Sequence, residues 1–282
     1  MNTVTNVDSL KKAITDSRFE IALKAIESLD QDAEWAIEPL LEIYKAGHPR
    51  LKYLSALALI KLREPRVKEL LLQDLRATDK WGHRDGNVNV VAAWALACVE
   101  RNPEIIEALR QAMTEKETVS GWFSTMGFVI PKLGMPQSEP YTLQEVAGLS
   151  LVELGDKDSG KQIVQLAIQD WHWHIPKERF IKYMYDSGWE STISDVASLL
   201  QNKQCLPTVI SCLGIIGDEQ CVDPLIKALK HETPDIRKKA IEALANIGGV
   251  RALEAITHAT NDKNWGVRHT AQKMIKKLSR DK

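Results

Sequence analysis

The chain has 282 residues, of which 44% are hydrophobic and 27% are charged, and its formal net charge is −1. These proportions are those of an ordinary globular protein, and they exclude collagen-like and low-complexity chains. A net charge this close to zero provides no long-range field that would attract a nucleic acid or an anionic membrane surface.

Apolar residues recur along the whole chain at the spacing of one helix face, and no strand pattern is convincing. We therefore predict eight consecutive pairs of helices. The first six pairs are Val7–Thr15 with Arg18–Leu29, Glu34–Ala46 with Leu51–Leu62, Val67–Ala77 with Val88–Glu100, Glu104–Met113 with Leu143–Leu154, Ser159–Gln169 with Lys177–Asp186, and Glu190–Leu200 with Leu206–Ile216. Two further pairs follow up to Leu278.

The last two pairs contain one pattern written twice, at an offset of 31 residues. The recurring dipeptides are Ile216-Gly217 with Ile247-Gly248, and Ile236-Arg237 with Val267-Arg268. A fixed period in this range is typical of stacked repeats, in which each unit buries its apolar face only against its neighbours. In the third pair, Val88-Asn89 stands in the place of Ile236-Arg237. Gly217 and Gly248 occupy helix ends, where a left-handed backbone favours glycine.

This frame resembles a HEAT repeat and, more narrowly, the short bacterial repeats of the phycobilisome-lyase-like HEAT families. The resemblance implies an all-α fold, a right-handed α-solenoid of about eight HEAT-type helix pairs whose second helices line the concave face. We expect one solenoid domain over residues 1–282, with a non-repeat insertion at about 115–142. The matching residues are Ile216-Gly217-Asp218, Pro224-Leu225-Ile226, Ala228-Leu229, Asp235-Ile236-Arg237, Ala240 and Ala243-Leu244.

Three consecutive pairs depart from the short turns of the duplicated segment. Their expanded connections are Thr78–Asn87, Glu115–Thr142 and Asp170–Pro176. Each connection joins a first helix to its own second helix, so stacking predicts that all three lie side by side along one edge. Insertions on one face of a repeat array commonly mark its binding face.

The expanded connections contain four of the eight tryptophans of the chain. A tryptophan left in water forgoes roughly 1.5–3 kcal/mol of burial, so clustered tryptophans either pack together or meet a partner. Both interpretations stay open, because the long insertion can fold back over its own aromatic residues. The predicted partner-binding residues are Trp81, His83, Trp122, Phe123, Met126, Phe128, Trp171, His172, Trp173 and His174.

The histidines of these connections also raise the question of a metal site. His172 and His174 are spaced so that both can reach one ion, and Asp85 and Asp170 are candidate carboxylates. No cysteine lies nearby in the sequence. Spacing alone does not establish a site, and we predict no metal and no other cofactor.

Three activities known among HEAT enzymes are relevant here, and the residues of this chain exclude the first of them, deoxyhypusine hydroxylation. Deoxyhypusine hydroxylases carry paired His-Glu dipeptides in their second helices, whereas the one His-Glu of this chain, His231-Glu232, lies in a predicted turn. Nothing in the sequence separates a bilin lyase from its non-catalytic relatives. The HEAT-like alkylpurine glycosylases use a basic groove, which a sequence pI near 6.7 disfavours. No Walker, GxSxG, HExxH or GxGxxG motif is present.

The four cysteines form no CxxC pair, and three of them fall within apolar helical patterns, as buried thiols do in a reducing compartment. The first fourteen residues contain no apolar export segment. No apolar run approaches the roughly 20 residues that a membrane span needs. We therefore predict a cytoplasmic protein that does not enter a membrane. The cysteines are Cys98, Cys205, Cys212 and Cys221.

We predict a non-enzymatic protein-binding module or scaffold, which binds another protein through the edge formed by the expanded connections and the adjacent concave face. The alternative is a small-molecule or chromophore-handling enzyme, similar to a bilin lyase, built on the same connections. A further alternative is nucleic-acid binding by the basic C-terminal repeat, although the overall composition disfavours a nucleic-acid partner. The last twenty residues carry a charge of +6 and the remainder −7, but a capping repeat also has a polar outer face.

Overall fold

The computed structural model describes residues 4–16, 18–46, 48–78, 86–114, 142–169 and 175–280. Within these ranges there are sixteen α-helices and five short 3-10 segments, and no strand. The prediction of an all-α fold built from eight helix pairs is confirmed. None of the described helices is both long enough and apolar enough to cross a membrane.

The chain divides into two compact units, Met1–Asp156 and Lys157–Lys282. This division does not test the prediction of one repeat domain. In a repeat array each unit contacts only its sequence neighbours, so a continuous array can be divided between any two repeats.

The first unit contains four helix pairs, and in each pair the two helices pack against each other. Second helices also pack on second helices, α4 on α6 and α6 on α8, while first helix α5 packs on α7. The pairs are α1 (Val7–Thr15) with α2 (Phe19–Glu27), α3 (Ile37–Lys45) with α4 (Pro49–Lys61), α5 (Arg66–Arg76) with α6 (Gly86–Leu96), and α7 (Pro103–Thr114) with α8 (Leu143–Glu153).

The second helices α4, α6 and α8 of this unit are enclosed on most sides, whereas α2 exposes Lys24 and Glu27. In α8, every residue from Leu143 to Val152 except Gln144 is buried. A helix that is apolar all round is one that is packed on several faces, unlike the amphipathic first helices. The hydroxyl of Ser150 donates a hydrogen bond of 2.8 Å to the carbonyl of Ala93 in α6, which satisfies a buried polar group between the two helices.

The second unit continues with four pairs, in which α10 packs on α12, α12 on α14 and α14 on α16. Gly214 sets the closest of these approaches, since a Cβ atom there would lie 2.7 Å from the Cβ of Ala243. The pairs are α9 (Gly160–Gln169) with α10 (Lys177–Asp186), α11 (Thr192–Ser198) with α12 (Leu206–Ile216), α13 (Val222–Ala228) with α14 (Pro234–Ile247), and α15 (Gly249–His258) with α16 (Trp265–Arg280).

The ends of the second helices confirm one glycine prediction and correct another. Gly217 is left-handed, with φ 76° and ψ 8°. Gly248 has a positive φ of 74°, but its ψ is −157°, because α15 begins at the next residue. Arg63 has the same role at the end of α4 and is the one non-glycine residue of the described chain with positive φ, 57°.

Candidate protein-binding surface

The ten residues predicted to bind a partner all lie outside the described residues. They belong to the ranges 79–85, 115–141 and 170–174. The structure does describe the helix ends from which the three expanded connections leave and to which they return, two in the first unit and one in the second.

The end of the third pair is closed by Asn89, in the first turns of α6. Its side-chain amide donates to the carbonyls of Asp74 at 2.6 Å, Leu75 at 3.1 Å and Ala77 at 3.1 Å. These carbonyls lie at the end of α5, where a helix has no partners of its own for them. Asn89 is fully buried, and its Oδ1 atom has no hydrogen-bond partner among the described residues.

Other pairs are closed in the same way, by a donor from the first turns of the second helix. We call these contacts the pair-closing hydrogen bonds. They occur below an expanded connection in the fifth pair and beside short turns in the last two pairs. They are Lys177 Nζ to the Ile168 carbonyl (2.9 Å), Arg237 Nη1 to the carbonyls of His231 (2.8 Å) and Glu232 (2.9 Å), and Arg268 Nη1 to those of Asp262 (2.8 Å) and Lys263 (3.1 Å).

The base of the first expanded connection also carries a compact polar cluster. Asp74, in the last turn of α5, accepts hydrogen bonds from the Tyr44 hydroxyl at 2.6 Å and from Lys52 Nζ at 2.7 Å. The Lys52 ammonium lies 4.5 Å from the centre of the Tyr44 ring. Burial, followed by the bond to Asp74, raises the pKa of the Tyr44 hydroxyl above its ordinary value of 10.0. The tyrosine therefore remains a neutral hydrogen-bond donor.

An equivalent ion pair joins the seventh pair to the eighth. Arg237 binds Asp262 with two bonds of 2.8 Å, and the two side chains are only 4% and 14% exposed. Hydrogen bonding to Arg237 lowers the pKa of Asp262 below its ordinary value of 3.8. Lys52 is the fourth residue of α4 and Arg237 the fourth of α14, so both ion pairs arise from one position of the repeat.

The long insertion returns to the fold through a capped helix start. Thr142 and Glu145 form a reciprocal capping box at α8, in which the Thr142 amide donates to Glu145 Oε2 at 2.7 Å. The Glu145 amide donates to Thr142 Oγ1 at 3.2 Å. Glu145 is fully buried. Such a cap fixes where α8 begins, independently of the chain that precedes it.

No cluster of three histidine, cysteine, aspartate or glutamate side chains suited to a metal occurs among the described residues. The histidines considered for a metal, His83, His172 and His174, lie outside those residues. His231-Glu232 lies in the turn before α14, where His231 Nδ1 accepts a hydrogen bond from the Thr233 amide at 3.1 Å. The expected location of this dipeptide in a turn is confirmed.

One exposed aromatic pair was missed by sequence reasoning. Trp265, the first residue of α16, is 70% exposed and stacks on His269, with ring centres 5.3 Å apart and planes inclined by 13°. The 31-residue offset places Trp265 where the preceding repeat has Pro234. The sequence did contain a signal for this residue, namely a tryptophan at the position where the preceding repeat has a proline.

Comparison with known proteins identifies the repeat. Residues 198–276 match the family model for HEAT repeats, and no curated protein matches the chain. Similar solved structures include human deoxyhypusine hydroxylase in complex with glycerol (18% identity, TM-score 0.36, covering 97% of this chain and 96% of that one). Another is the CpcE–CpcF complex of phycocyanin lyase from Nostoc sp. PCC7120 (15%, TM-score 0.38, covering 98% and 96%).

A designed armadillo repeat protein in complex with the peptide (KR)4 is similar as well, with 14% identity and a TM-score of 0.28 over 97% of this chain and 100% of that one. Because all three scores lie below 0.5, these structures assign neither an activity nor a partner to this chain. The family match falls on the segment in which the duplicated pattern predicted the repeat. Residues 198–276 therefore match HEAT repeats, and the predicted resemblance is confirmed.

Proposed function

We propose that this chain is a protein-binding module that contacts its partner through the expanded connections of the third to fifth pairs and the adjacent second helices. The proposal rests on the pair-closing hydrogen bonds of the third and fifth helix pairs, which lie beneath two of those connections. Asn89 and Lys177 join the second helix to the end of the first in the third and fifth pairs, as Arg237 does beside a short turn. The residues between the helices are therefore not needed to close the pairs.

Packing within the first unit supports a shared edge for two of the connections. α5 packs on α7 and α6 packs on α8. Each connection leaves a first helix and returns to the second helix of the same pair, so the two connections start from corresponding ends of neighbouring pairs. The connection of the fifth pair, Asp170–Pro176, belongs to the second unit, and only the sequence supports its inclusion in the proposed edge.

Composition indicates what such an edge would bind. Tryptophan and other aromatic residues contribute much of the free energy of protein interfaces, and a HEAT array presents them on a repeating helical frame. The proposed contact residues are the ten named in the sequence analysis. Four of these ten residues are tryptophans, which favour contact with a protein surface. A phosphate backbone is a poorer match, because the chain outside its last twenty residues carries a charge of −7.

The test is capture of partners from a lysate of the native organism, quantified by mass spectrometry. We expect a variant with Trp122→Ala, Trp171→Ala and Trp173→Ala to lose the proteins that the wild type retains. Trp35→Ala is the matched control, since Trp35 is 38% exposed and lies outside the three connections. Circular dichroism of each variant verifies folding. Unchanged capture by the triple variant would refute the proposed surface.

A further inference from the structure

The last helix pair presents apolar side chains to solvent. Val250 at 74% and Trp265 at 70% are the most exposed large hydrophobic residues of the described chain, and both belong to this pair. Most large apolar side chains of the described helices are buried between neighbouring helices. Two that are this exposed within one helix pair suggest a contact with another molecule.

Trp265 is exposed, but one face of its ring is stacked on a neighbouring ring. Its ring stacks nearly parallel on that of His269, one helical turn further along α16. The side chain of Lys238, from α14, lies beside the start of α16. Its Cε would be 3.1 Å from a Cβ at position 266, so Gly266 leaves the space that Lys238 occupies. The two stacked rings therefore form a flat aromatic platform with a lysine stem beside it.

A row of cations continues from the platform along α16. Their helical spacing places them on the side of α16 that carries Trp265 and His269, opposite the buried Val267 and Ala271. No carboxylate among the described residues forms an ion pair with any of them, and all are exposed. They are Lys273, Lys276, Lys277 and Arg280.

We propose that this face of α16, named here the C-terminal platform, binds an acidic peptide segment of a protein partner that carries an aromatic side chain. The aromatic side chain would stack on Trp265, and the acidic residues would pair with the cations that follow. Tryptophan anchors and complementary charge are the features that give such interfaces affinity and specificity. The C-terminal platform is separate from the expanded connections and does not depend on them.

The neighbouring helix favours a peptide over a nucleic acid. Glu242 of α14 stands at the repeat position of Lys273, and Asp235 is also exposed at the start of α14. A single-stranded nucleic acid needs a positively charged groove along its backbone together with stacking side chains. On α14, Lys238 forms an ion pair with Asp235 at 2.8 Å, whereas no carboxylate interrupts the exposed cations of α16. This arrangement suits a short acidic segment laid along one helix.

The experiment measures fluorescence anisotropy of labelled synthetic peptides with the full chain, at an ionic strength of about 0.1 M. The probes are DEEDYEEDE, its alanine version DEEDAEEDE, the basic peptide KRKKYKRKK and oligo-deoxythymidine. We expect the first probe to bind, the alanine version to bind more weakly, and the basic peptide not to bind. Tighter binding of the oligonucleotide than of DEEDYEEDE would overturn the proposal.

Substitutions distinguish peptide binding at the C-terminal platform from a general effect of the net charge of the chain. Trp265→Ala should weaken binding of DEEDYEEDE by about tenfold or more, and the Lys273→Glu/Lys276→Glu double variant should abolish it. The matched control is Lys227→Glu/Lys230→Glu, which makes the same charge change on the exposed side of α13 and its following turn. Equal losses in both double variants, or unchanged binding by Trp265→Ala, would contradict the proposal.

Two further measurements complete the test. Sedimentation of the wild type without peptide should show a mass independent of concentration. A concentration-dependent mass that Trp265→Ala removes would overturn the proposal, because the platform would then bind a second copy of the chain. The triple tryptophan variant of the expanded connections should bind DEEDYEEDE normally, which keeps the outcome separate from that of the proposed function.

Discussion

The third and seventh helix pairs close their ends with the same chemistry beneath different connections. In the seventh pair, Arg237 donates to the carbonyls of a short turn, His231 and Glu232. In the third pair, Asn89 donates to three carbonyls at the end of α5, below the connection Thr78–Asn87. Because the donor comes from the second helix in both cases, the length of the connection is free to change without opening the pair.

The two pairs differ in what else the donor does. Arg237 also reaches Asp262 in the next pair, so one side chain provides both the pair-closing hydrogen bonds and the ion pair to the neighbouring repeat. Asn89 is too short for both tasks. Lys52, at the same repeat position of the second pair, forms the corresponding ion pair to the third pair by binding Asp74. The comparison predicts that loss of Arg237 is more damaging than loss of Asn89.

Arg237→Ala should produce the largest effect, a loss of about 3–5 kcal/mol in the free energy of unfolding, because it leaves a nearly buried carboxylate unpaired. Urea unfolding measures it. Arg251→Ala is the control, since Arg251 and Asp223 form an ion pair with side chains 53% and 63% exposed. We expect the control to cost less than about 1 kcal/mol. Similar losses in the two variants would contradict the role of burial.

Asn89→Ala should have a smaller effect, a loss of about 1–3 kcal/mol, because three carbonyls lose one donor group. The same urea experiment measures it. Asn246→Ala, at an exposed position of α14, should change stability by less than about 0.5 kcal/mol. If Asn89→Ala matched the control, the pair-closing hydrogen bonds would not support the third pair.

Shortening the first expanded connection should change stability still less. Replacing residues 79–85 by a Gly-Ser-Gly link shortens this stretch by little more than a factor of two, and each doubling of loop length is worth about 0.6 kcal/mol. Thermal unfolding should therefore remain a single transition near that of the wild type. A large loss of stability would show that the connection, rather than Asn89, holds the two helices together.

Lowering the pH should remove the contribution of the Arg237–Asp262 ion pair to the free energy of unfolding. The folded-state pKa of Asp262 lies below its ordinary value of 3.8, so the stabilisation is complete above that value and disappears as the pH falls through the lower folded-state pKa. The measurement is the difference in unfolding free energy between the wild type and Asp262→Asn from neutral pH downward. The difference should shrink below about pH 4. A constant difference would mean that the carboxylate charge plays no part.

Local sequence was sufficient for the helices and for their pairing. Apolar spacing located all eight pairs, and the 31-residue offset identified Arg237 and Arg268 as equivalent residues. Both signals are periodic patterns in the amino-acid sequence, and they can be read without knowing which helices pack together. The repeat frame also placed Asn89 in the position of the arginine, although it said nothing about what Asn89 binds.

Bonding partners and exposure were decided only by tertiary structure. Lys52 and Asp74 are separated by 22 residues, and no local pattern joins them. Trp265 reads as one more apolar residue at a helix start until its 70% exposure is seen. The physical reason is that hydrogen-bond geometry and burial depend on which helices pack together. The amino-acid sequence by itself determined an all-α array of eight helix pairs that resembles HEAT repeats, and only packing in space determined which side chains close those pairs and which face solvent.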